Sequence, residues 1–319
     1  MGAATVLALV AGCTAHPIPK DWTITEAAEA ATAREDWPAA LEFWNRAMLE
    51  TRGNEPRPYL EKARALWMLD DEEAAQILLN RGIDRYPDEH QMRLLRGRLL
   101  CERGYERAAE HDFLSAVEID PDCAESWLLL ARVQLELDRP ANAETGFDRH
   151  IELSGGDSDA WFLLGRACSE NGKLDKAVEC FRGAFESGAV SVSQLVLAAS
   201  VVTLEDLGPP DPEHVEQALT WIDAALGRQP QHAEGWYVRG MLFELRDDDM
   251  LAAVSYSRAV ELDGFHLLAM TRLACTYARI GEIERANAMI DRALGLNIAA
   301  SRRRMLERVR ASWTVPAGG

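Results

Sequence analysis

The chain carries few positive charges for its size. Its 319 residues include 34 Lys and Arg against 52 Asp and Glu, which gives a formal net charge of −18 and a pI near 4.9. A nucleic-acid-binding surface needs an excess of Lys and Arg to displace phosphate counterions, so nucleic acid is not an expected partner. The same acidity disfavours direct contact with anionic lipid.

Aromatic residues are also few, at 7%, and the alternation of Val, Ile and Thr that marks strands is hard to find. The sequence is instead rich in Ala, Leu, Glu and Arg, which favour helix. Hydrophobic residues make up 48% of the chain and charged residues 27%, a balance that suits a continuous core under a soluble surface. We therefore predict an all-α protein.

Catalytic motifs are missing as well. The sequence contains no H-E-x-x-H, no P-loop and no G-x-S-x-G, and its 7 histidines are scattered. His150 is predicted to be packed rather than to act as a base. The run Asp247-Asp248-Asp249 is too short for a calcium loop and is predicted to be a turn between helices. We expect no enzyme activity, no cofactor and no metal.

The cysteine spacing suggests neither a disulfide framework nor a metal site. Cys13 stands apart near the N-terminus, and the other five form no C-x-x-C pair and have no histidine at metal-binding spacing. These five are Cys101, Cys123, Cys168, Cys180 and Cys275. They fit small apolar positions on helices. A disulfide in an oxidising compartment remains an alternative.

The N-terminus has the pattern of a targeting segment. Residues 1–12 hold no charged side chain, and residues 3–11 form an apolar run that is too short to span a bilayer but has the length of a signal-peptide core. The run ends in Val10-Ala11-Gly12-Cys13, which resembles a bacterial lipobox. In that family a signal peptidase cleaves before the cysteine, which is then lipidated. The resemblance implies a signal peptide over 1–12, lipidation of Cys13 and a short tether over 13–20.

Such a protein would face the periplasm of a bacterial envelope, in the outer membrane because Thr14 rather than Asp follows the cysteine. No Lys or Arg precedes the apolar run, which departs from the lipoprotein pattern. The true start of translation therefore stays open, as do two alternatives, an ordinary secretory signal and an unstructured apolar N-terminus.

An alanine recurs with a period close to 34 residues along the chain. It stands at Ala40, Ala75, Ala109, Ala143, Ala177, Ala218, Ala252 and Ala286. A small residue lies twelve positions earlier, at Ala28, Ala63, Gly97, Ala131, Gly165, Gly240 and Ala274. A bulky apolar residue lies four positions later, at Trp44, Leu79, Phe113, Phe147, Phe181, Ile222, Tyr256 and Ile290. This pattern fits two antiparallel helices whose small residues permit close approach and whose large residues fill the remaining space.

The pattern closely resembles the tetratricopeptide repeat. The fifth copy is the clearest, with Trp161, Leu164, Gly165, Gly172, Leu174, Ala177, Phe181 and Ala184. Proline follows the second helix at Pro87, Pro121 and Pro230. The resemblance implies a right-handed α-solenoid of about eight helical hairpins. Its repeats would cover 21–54, 56–89, 90–123, 124–157, 158–191, 192–232, 233–266 and 267–300.

Two segments depart from the repeat. The sixth copy is longer than the others, with its excess over residues 208–214, where Asp211 and Pro212 predict a helix N-cap and first turn. This insertion is interpreted as a tolerated surface loop or as a contact for a partner. After the eighth copy, residues 301–319 are predicted to form a capping helix and tail. Its arginines solvate the end of the array, or form a basic patch for an anionic partner.

In the tetratricopeptide family the first helix of each hairpin lines a concave groove, and its second, fifth, ninth, twelfth and thirteenth repeat positions face the ligand. The resemblance therefore implies a peptide-binding groove at three sets of positions. An arginine row would be formed by Arg64, Arg98, Arg132 and Arg166. A glutamate row would be formed by Glu102, Glu136 and Glu170. An apolar row would be formed by Leu60, Leu94, Leu128, Phe162 and Tyr237.

The arginine and glutamate rows have a structural alternative. Arg98 and Glu102, like the two pairs that follow at 34-residue spacing, are separated by four residues and can pair on one helix. They can also bridge neighbouring repeats. In the binding interpretation the guanidinium groups instead capture peptide carboxylates.

The sequence thus predicts a scaffold for a protein or peptide partner, lipid-anchored in the bacterial envelope and assisting the assembly of an envelope complex. Three alternatives remain. The chain could be a pilus-assembly lipoprotein of the pilotin or Flp/Tad type. It could also be a scaffold for polysaccharide export or peptidoglycan enzymes, or a soluble cytoplasmic adaptor.

Overall fold

The computed structural model describes residues 16, 18–19, 21–207 and 209–314. The predicted signal peptide and the predicted lipidation site, Cys13, lie outside this part of the chain. Within it, every regular element is helical and no strand occurs. None of the described helices is long and apolar enough to cross a membrane.

The chain divides into two compact units, residues 1–139 and 140–319. Unit 1 contains α1 (Ile24–Ala33), α2 (Trp37–Glu50), α3 (Arg57–Met68), α4 (Glu72–Arg85), α5 (His90–Glu102), α6 (Glu106–Ile119) and α7 (Ala124–Glu136). Each of these helices packs on the next one along the chain, and α3 and α7 also contact α5. Unit 1 is therefore a segment of α-solenoid.

The described part of unit 2, residues 140–207 and 209–314, contains ten α-helices. They are α8 (Pro140–Ser154), α9 (Ser158–Glu170), α10 (Leu174–Ser187), α11 (Val192–Val201), α12 (Pro212–Arg228), α13 (Ala233–Leu245), α14 (Asp249–Leu262), α15 (Leu267–Arg279), α16 (Ile283–Leu294) and α17 (Ala300–Thr314). Each helix again packs on the next one. The prediction of an all-α solenoid is confirmed.

The repeat alanines form the centre of the core. All eight, from Ala40 to Ala286, have no exposed surface. The bulky residues four positions later are buried as well, none of them more than 2% exposed. Because every hairpin contains the same small and large pair at the same spacing, the small residue allows close approach and the large one fills the space beside it.

Side chains define the first turn of several helices. Thr23 and Glu26 form a reciprocal capping box at the start of α1, and Ser191 and Gln194 form another at the start of α11. Asp211 caps α12, where its carboxylate accepts a hydrogen bond of 3.0 Å from the backbone N–H of Glu213. The prediction of an N-cap at this residue is confirmed.

The last helix, α17, has one fully buried apolar side chain near its middle. Leu306 of α17 is buried, at 2% exposure, whereas Met305 beside it is 54% exposed. Arg310 binds Asp291 of α16 at 2.5 Å, and Arg303 donates to the backbone carbonyl of Leu294 at 3.0 Å. Only one of the two is buried because adjacent residues point in different directions on a helix. Leu306, Arg303 and Arg310 together hold α17 in place.

Candidate functional site

Three first helices of the hairpins in unit 1, α3, α5 and α7, are neighbours in space. Helix α5 contacts α3 on one side and α7 on the other. Arg64, Arg98 and Arg132 occupy the same repeat position on these three helices. These three are the members of the predicted arginine row that lie in unit 1, whereas the fourth, Arg166, lies in unit 2, and the name arginine row is kept below for the three.

Each guanidinium of the arginine row lies at the surface. The Arg64 side chain is 41% exposed and lies 3.4 Å from Glu61 of the same helix. The Arg98 side chain is 40% exposed and pairs with Glu125 of α7. Arg132 is exposed. Arg98 therefore bridges two repeats, and its partner is not the predicted Glu102.

The three glutamates of the predicted glutamate row do not share one kind of contact. Glu102 accepts a hydrogen bond of 2.9 Å from the indole N–H of Trp67, which belongs to the preceding repeat. Glu136 lies at the surface of α7. In unit 2, Arg166 donates to Glu170 at 3.0 Å within one helix, as predicted. These contacts support the interpretation of the charged rows as links within and between repeats.

The prediction of an apolar ligand-facing row is not met. Leu60 and Leu94 are buried in the core of unit 1, at 4% and 5% exposure, and only Leu128 is half-buried. In unit 2, Phe162 and Tyr237 are each 7% exposed. These side chains pack on neighbouring helices because burying a large apolar side chain is more favourable than leaving it exposed to water.

The packing partners of the two aromatic residues are rings of unit 2. The ring of Phe162 lies 5.5 Å from that of Phe181, measured between ring centres. The ring of Tyr237 lies 4.8 Å from that of His266 and 5.8 Å from that of Tyr256. Both residues are thus structural.

A second set of charged contacts was not predicted. In several repeats a basic residue next to the turn after the first helix reaches back to the second helix of the preceding repeat. We call this set the turn ladder. Its pairs are Arg103 with Gln76, Arg139 with Glu110, Lys173 with Glu144, Arg246 with Glu216, and Arg279 with Asp249. In the sequence these pairs share one feature, a separation of 27 to 30 residues between the two partners, which is slightly less than one repeat.

Glu144 is the most strongly held acid of the turn ladder. Its side chain is 8% exposed and accepts hydrogen bonds of 2.9 Å from Lys173, Lys176 and Asn171. Burial by itself would raise the pKa of Glu144, but these three donors outweigh burial and lower the pKa to about 2. Glu144 is therefore ionised across the physiological range.

Glu244 of α13 gathers a similar cluster in unit 2. Its carboxylate, 12% exposed, accepts from the Tyr256 hydroxyl at 2.6 Å and from Thr276 at 3.2 Å, and it also binds Arg272 and Arg279. Burial, reinforced by the charge of Glu244, raises the pKa of Tyr256. Three members of this cluster, Glu244, Arg272 and Arg279, line a pocket of about 350 Å³. Because the pocket's arginines are bound to its own acids, we assign it no ligand.

Unit 1 also brings together three side chains that can bind a metal ion. A nitrogen of His90, a carboxylate oxygen of Asp120 and the sulfur of Cys123 all lie within 4.8 Å of one another, and this is the one such group in the described part of the chain. All three residues are half-buried. Residue spacing did not reveal the group because the three come from the start of α5 and from the loop that joins α6 to α7.

Comparison with known proteins agrees with this architecture. Two family models described as tetratricopeptide repeat match residues 105–158 and 158–187. No curated protein sequence matches the chain.

Several solved structures share the fold. The structure of YrrB, described as a TPR protein with an unusual peptide-binding site, superposes with a TM-score of 0.54 at 16% identity, over 60% of this chain and 95% of YrrB. PilF of Pseudomonas aeruginosa gives a TM-score of 0.54 at 14% identity, over 66% of this chain and 93% of PilF. A tetratricopeptide repeat protein from Parabacteroides merdae gives a TM-score of 0.50 at 15% identity, over 79% of this chain and 97% of that protein. Residues 105–187 of this chain thus match the tetratricopeptide repeat, and its stacked hairpins with their repeating small and large core pairs share the fold of these structures.

Proposed function

We propose that this protein is an adaptor that binds carboxylate-bearing peptides of a partner protein on the arginine row of unit 1. The observation that carries the proposal is the recurrence of an exposed guanidinium at one repeat position on three contacting helices. Tetratricopeptide repeats in general bind proteins or peptides. The description of YrrB as a peptide-binding protein of this fold agrees with that role.

The existing ion pairs leave the arginine row accessible. Glu125, the partner of Arg98, has a side chain that is 52% exposed. Exposed pairs of this kind contribute about 0–1 kcal/mol to stability, so an incoming carboxylate can replace Glu125 at little cost. A planar guanidinium binds a carboxylate through two parallel hydrogen bonds, which gives such an exchange a favourable geometry.

The overall charge of −18 does not prevent this binding. Charges more than about 10 Å away are largely screened at 0.1 M ionic strength, so a peptide at the row responds mainly to nearby groups. Affinity should fall as salt rises, because the arginine row lies at the surface.

The test uses short fluorescent peptides rich in Asp and Glu, with otherwise identical peptides that carry Asn and Gln. Fluorescence anisotropy should show binding of the acidic peptides and at least about 10-fold weaker binding of the amide peptides, equivalent to about 1.4 kcal/mol. The double variant R98E/R132E should lose the acidic peptides. The matched control R81E/R107E changes the charge equally at exposed positions on the second helices α4 and α6 and should retain them.

Equal binding of acidic and amide peptides would contradict the proposal. So would unchanged affinity in R98E/R132E with helicity intact. If that variant lost only stability, the arginine row would be a structural link between repeats, as the Arg98–Glu125 pair suggests.

We further propose that Cys13 anchors the adaptor to a bacterial envelope membrane, facing the periplasm, where it assists the assembly of an envelope complex. The support is the sequence Val10-Ala11-Gly12-Cys13 alone. PilF of Pseudomonas aeruginosa shares the fold, but 14% identity does not extend a pilus role to this chain. Pilus assembly, polysaccharide export and peptidoglycan synthesis therefore remain alternative pathways.

The anchor is tested by expressing wild type and Cys13→Ser in a bacterium fed a labelled fatty acid. Wild type should incorporate the label and sediment with membranes, whereas Cys13→Ser should do neither. Cys101→Ser serves as the control, because Cys101 lies within α5 and should not affect labelling. An unlabelled wild type that remains soluble would favour the cytoplasmic adaptor.

A further inference from the structure

We propose that His90, Asp120 and Cys123 form a zinc-binding site in unit 1. The site lies where the start of α5 meets the loop between α6 and α7. It would hold Zn²⁺ through one imidazole nitrogen, one carboxylate oxygen and one thiolate, with water as the fourth ligand. This proposal is independent of peptide binding by the arginine row.

The distances fit tetrahedral zinc. Zinc–nitrogen and zinc–oxygen bonds of about 2.0–2.1 Å place two such ligands about 3.4 Å apart in a tetrahedron. The Nε2 atom of His90 lies 3.8 Å from Oδ2 of Asp120, and the Cys123 sulfur lies within 4.8 Å of both side chains. Small side-chain rotations therefore suffice to bind the ion.

The loop orients two of the ligands before any ion arrives. The Oδ1 atom of Asp120 accepts a hydrogen bond of 3.2 Å from the backbone N–H of Asp122, and Oδ2 faces His90. The backbone N–H of Cys123 donates to the carbonyl of Asp120 at 3.3 Å. Trp127 holds the same loop through a bond of 2.8 Å from its indole N–H to the carbonyl of Pro121. Such supporting contacts fix ligand geometry in metal sites.

The Cys123 side chain is available for binding. Cys123 is the N-cap residue of α7, but its side chain makes no capping hydrogen bond. Other helices of this chain use a capping side chain in that place, as Asp157 does at α9. Because a thiol is a weak acceptor, its presence at an N-cap contributes little to helix stability, whereas a thiolate is a strong zinc ligand.

The combination of ligands selects the kind of ion. Thiolate and imidazole favour Zn²⁺, whereas Mg²⁺ and Ca²⁺ need several oxygen ligands. The adjoining chain carries Asp88, Glu89 and Asp122, which favour a divalent cation electrostatically. Arg93 opposes them with one positive charge, and its guanidinium donates to the carbonyl of Pro87 at 2.7 Å.

The experiment uses the full reduced chain and Co²⁺ as a spectroscopic substitute for Zn²⁺. One equivalent of Co²⁺ should produce a near-ultraviolet band from cobalt–thiolate bonding and intense visible bands typical of tetrahedral cobalt. Zn²⁺ should displace Co²⁺ and abolish both. Cys123→Ser should remove the thiolate band, and His90→Ala and Asp120→Asn should each weaken zinc affinity by more than about 10-fold.

The variants are chosen so that they remain folded. Serine is a good N-cap residue, and Asn at position 120 retains an oxygen that can accept from the N–H of Asp122. Cys101→Ser and His111→Ala are matched controls in unit 1 and should bind like wild type. The absence of a thiolate band in wild type would overturn the proposal. Retention of that band in Cys123→Ser, with helicity unchanged, would overturn it as well.

Discussion

The ring of Phe181 occupies the space that a side chain at Gly165 would need. A Cβ atom added to Gly165 would lie 2.6 Å from Cδ1 of Phe181, closer than van der Waals contact permits. The same relationship holds between Gly97 and Phe113 and between Gly240 and Tyr256. Close approach of the two helices within these hairpins therefore depends on glycine.

Gly165→Ala should destabilise the protein even though alanine favours helix more than glycine does. The new methyl group must displace Phe181, and such overpacking costs about 1–3 kcal/mol. Gly227→Ala is the matched control, because a Cβ at Gly227 meets no atom within 4 Å. That change should be neutral or stabilising by up to about 1 kcal/mol. Urea unfolding measures both, and equal stability of the two variants would contradict the packing argument.

Glu144→Gln should change the response of stability to acid. The pKa of Glu144 in the folded protein is about 2, below its ordinary value of 4.5, so ionised Glu144 stabilises the fold above about pH 4.5. That stabilisation is lost as the pH falls from 4.5 toward 2. Glu144→Gln should be less stable at pH 7, by about 2 kcal/mol, and the difference from wild type should shrink in acid.

Thermal unfolding of wild type and Glu144→Gln at several pH values measures this difference. Glu179→Gln is the control, because Glu179 is exposed on α10 and should leave the stability profile unchanged. A stability difference independent of pH would show that the hydrogen bonds to Glu144 do not depend on its charge.

Substitutions in the Glu244 cluster should reduce stability by different amounts. Glu244→Ala removes the shared acceptor of Tyr256, Thr276, Arg272 and Arg279 and should cost about 3 kcal/mol. Tyr256→Phe removes one donor of several and should cost about 1 kcal/mol. Chemical unfolding would rank the two variants, and a larger loss for Tyr256→Phe would show that Glu244 is not the centre of the cluster.

The five described cysteines should differ in reactivity. Cys168 and Cys180 are 0% and 2% exposed, and a mutual hydrogen bond together with burial raises the pKa of Cys180. Both thiols should resist iodoacetamide in the native protein, since only an accessible thiolate reacts quickly. The half-buried Cys101, Cys123 and Cys275 should react first. Mass spectrometry of timed samples would measure the order, and early labelling of Cys180 would contradict it.

The hairpin core could be predicted from the sequence because its determinants lie within one repeat. The spacing from Ala28 to Ala40 and Trp44 is set by the helix period and by one short turn. The structure buries all three residues. The pair of Arg166 and Glu170 was predictable for the same reason, since residues four apart share a helix face.

Contacts between repeats were less predictable. The sequence spacing offered Glu102, four residues away, as a partner for Arg98, and the structure pairs Arg98 with Glu125, 27 residues further along. Leu60 and Leu94 were assigned to a ligand-facing row, yet neighbouring helices cover them. The choice depends on how far one hairpin is rotated and shifted against the next, which the repeat length does not specify.

The helices, the repeat and the residues at the centre of each hairpin follow from the sequence, because small and large side chains at a fixed period permit one close packing of two helices. The pairing of charges across repeats follows instead from how the hairpins stack. This stacking places Lys173 and Lys176 on Glu144, and it brings His90 to Asp120 and Cys123. Those contacts depend on side chains about 30 residues apart that become neighbours only when successive helices stack.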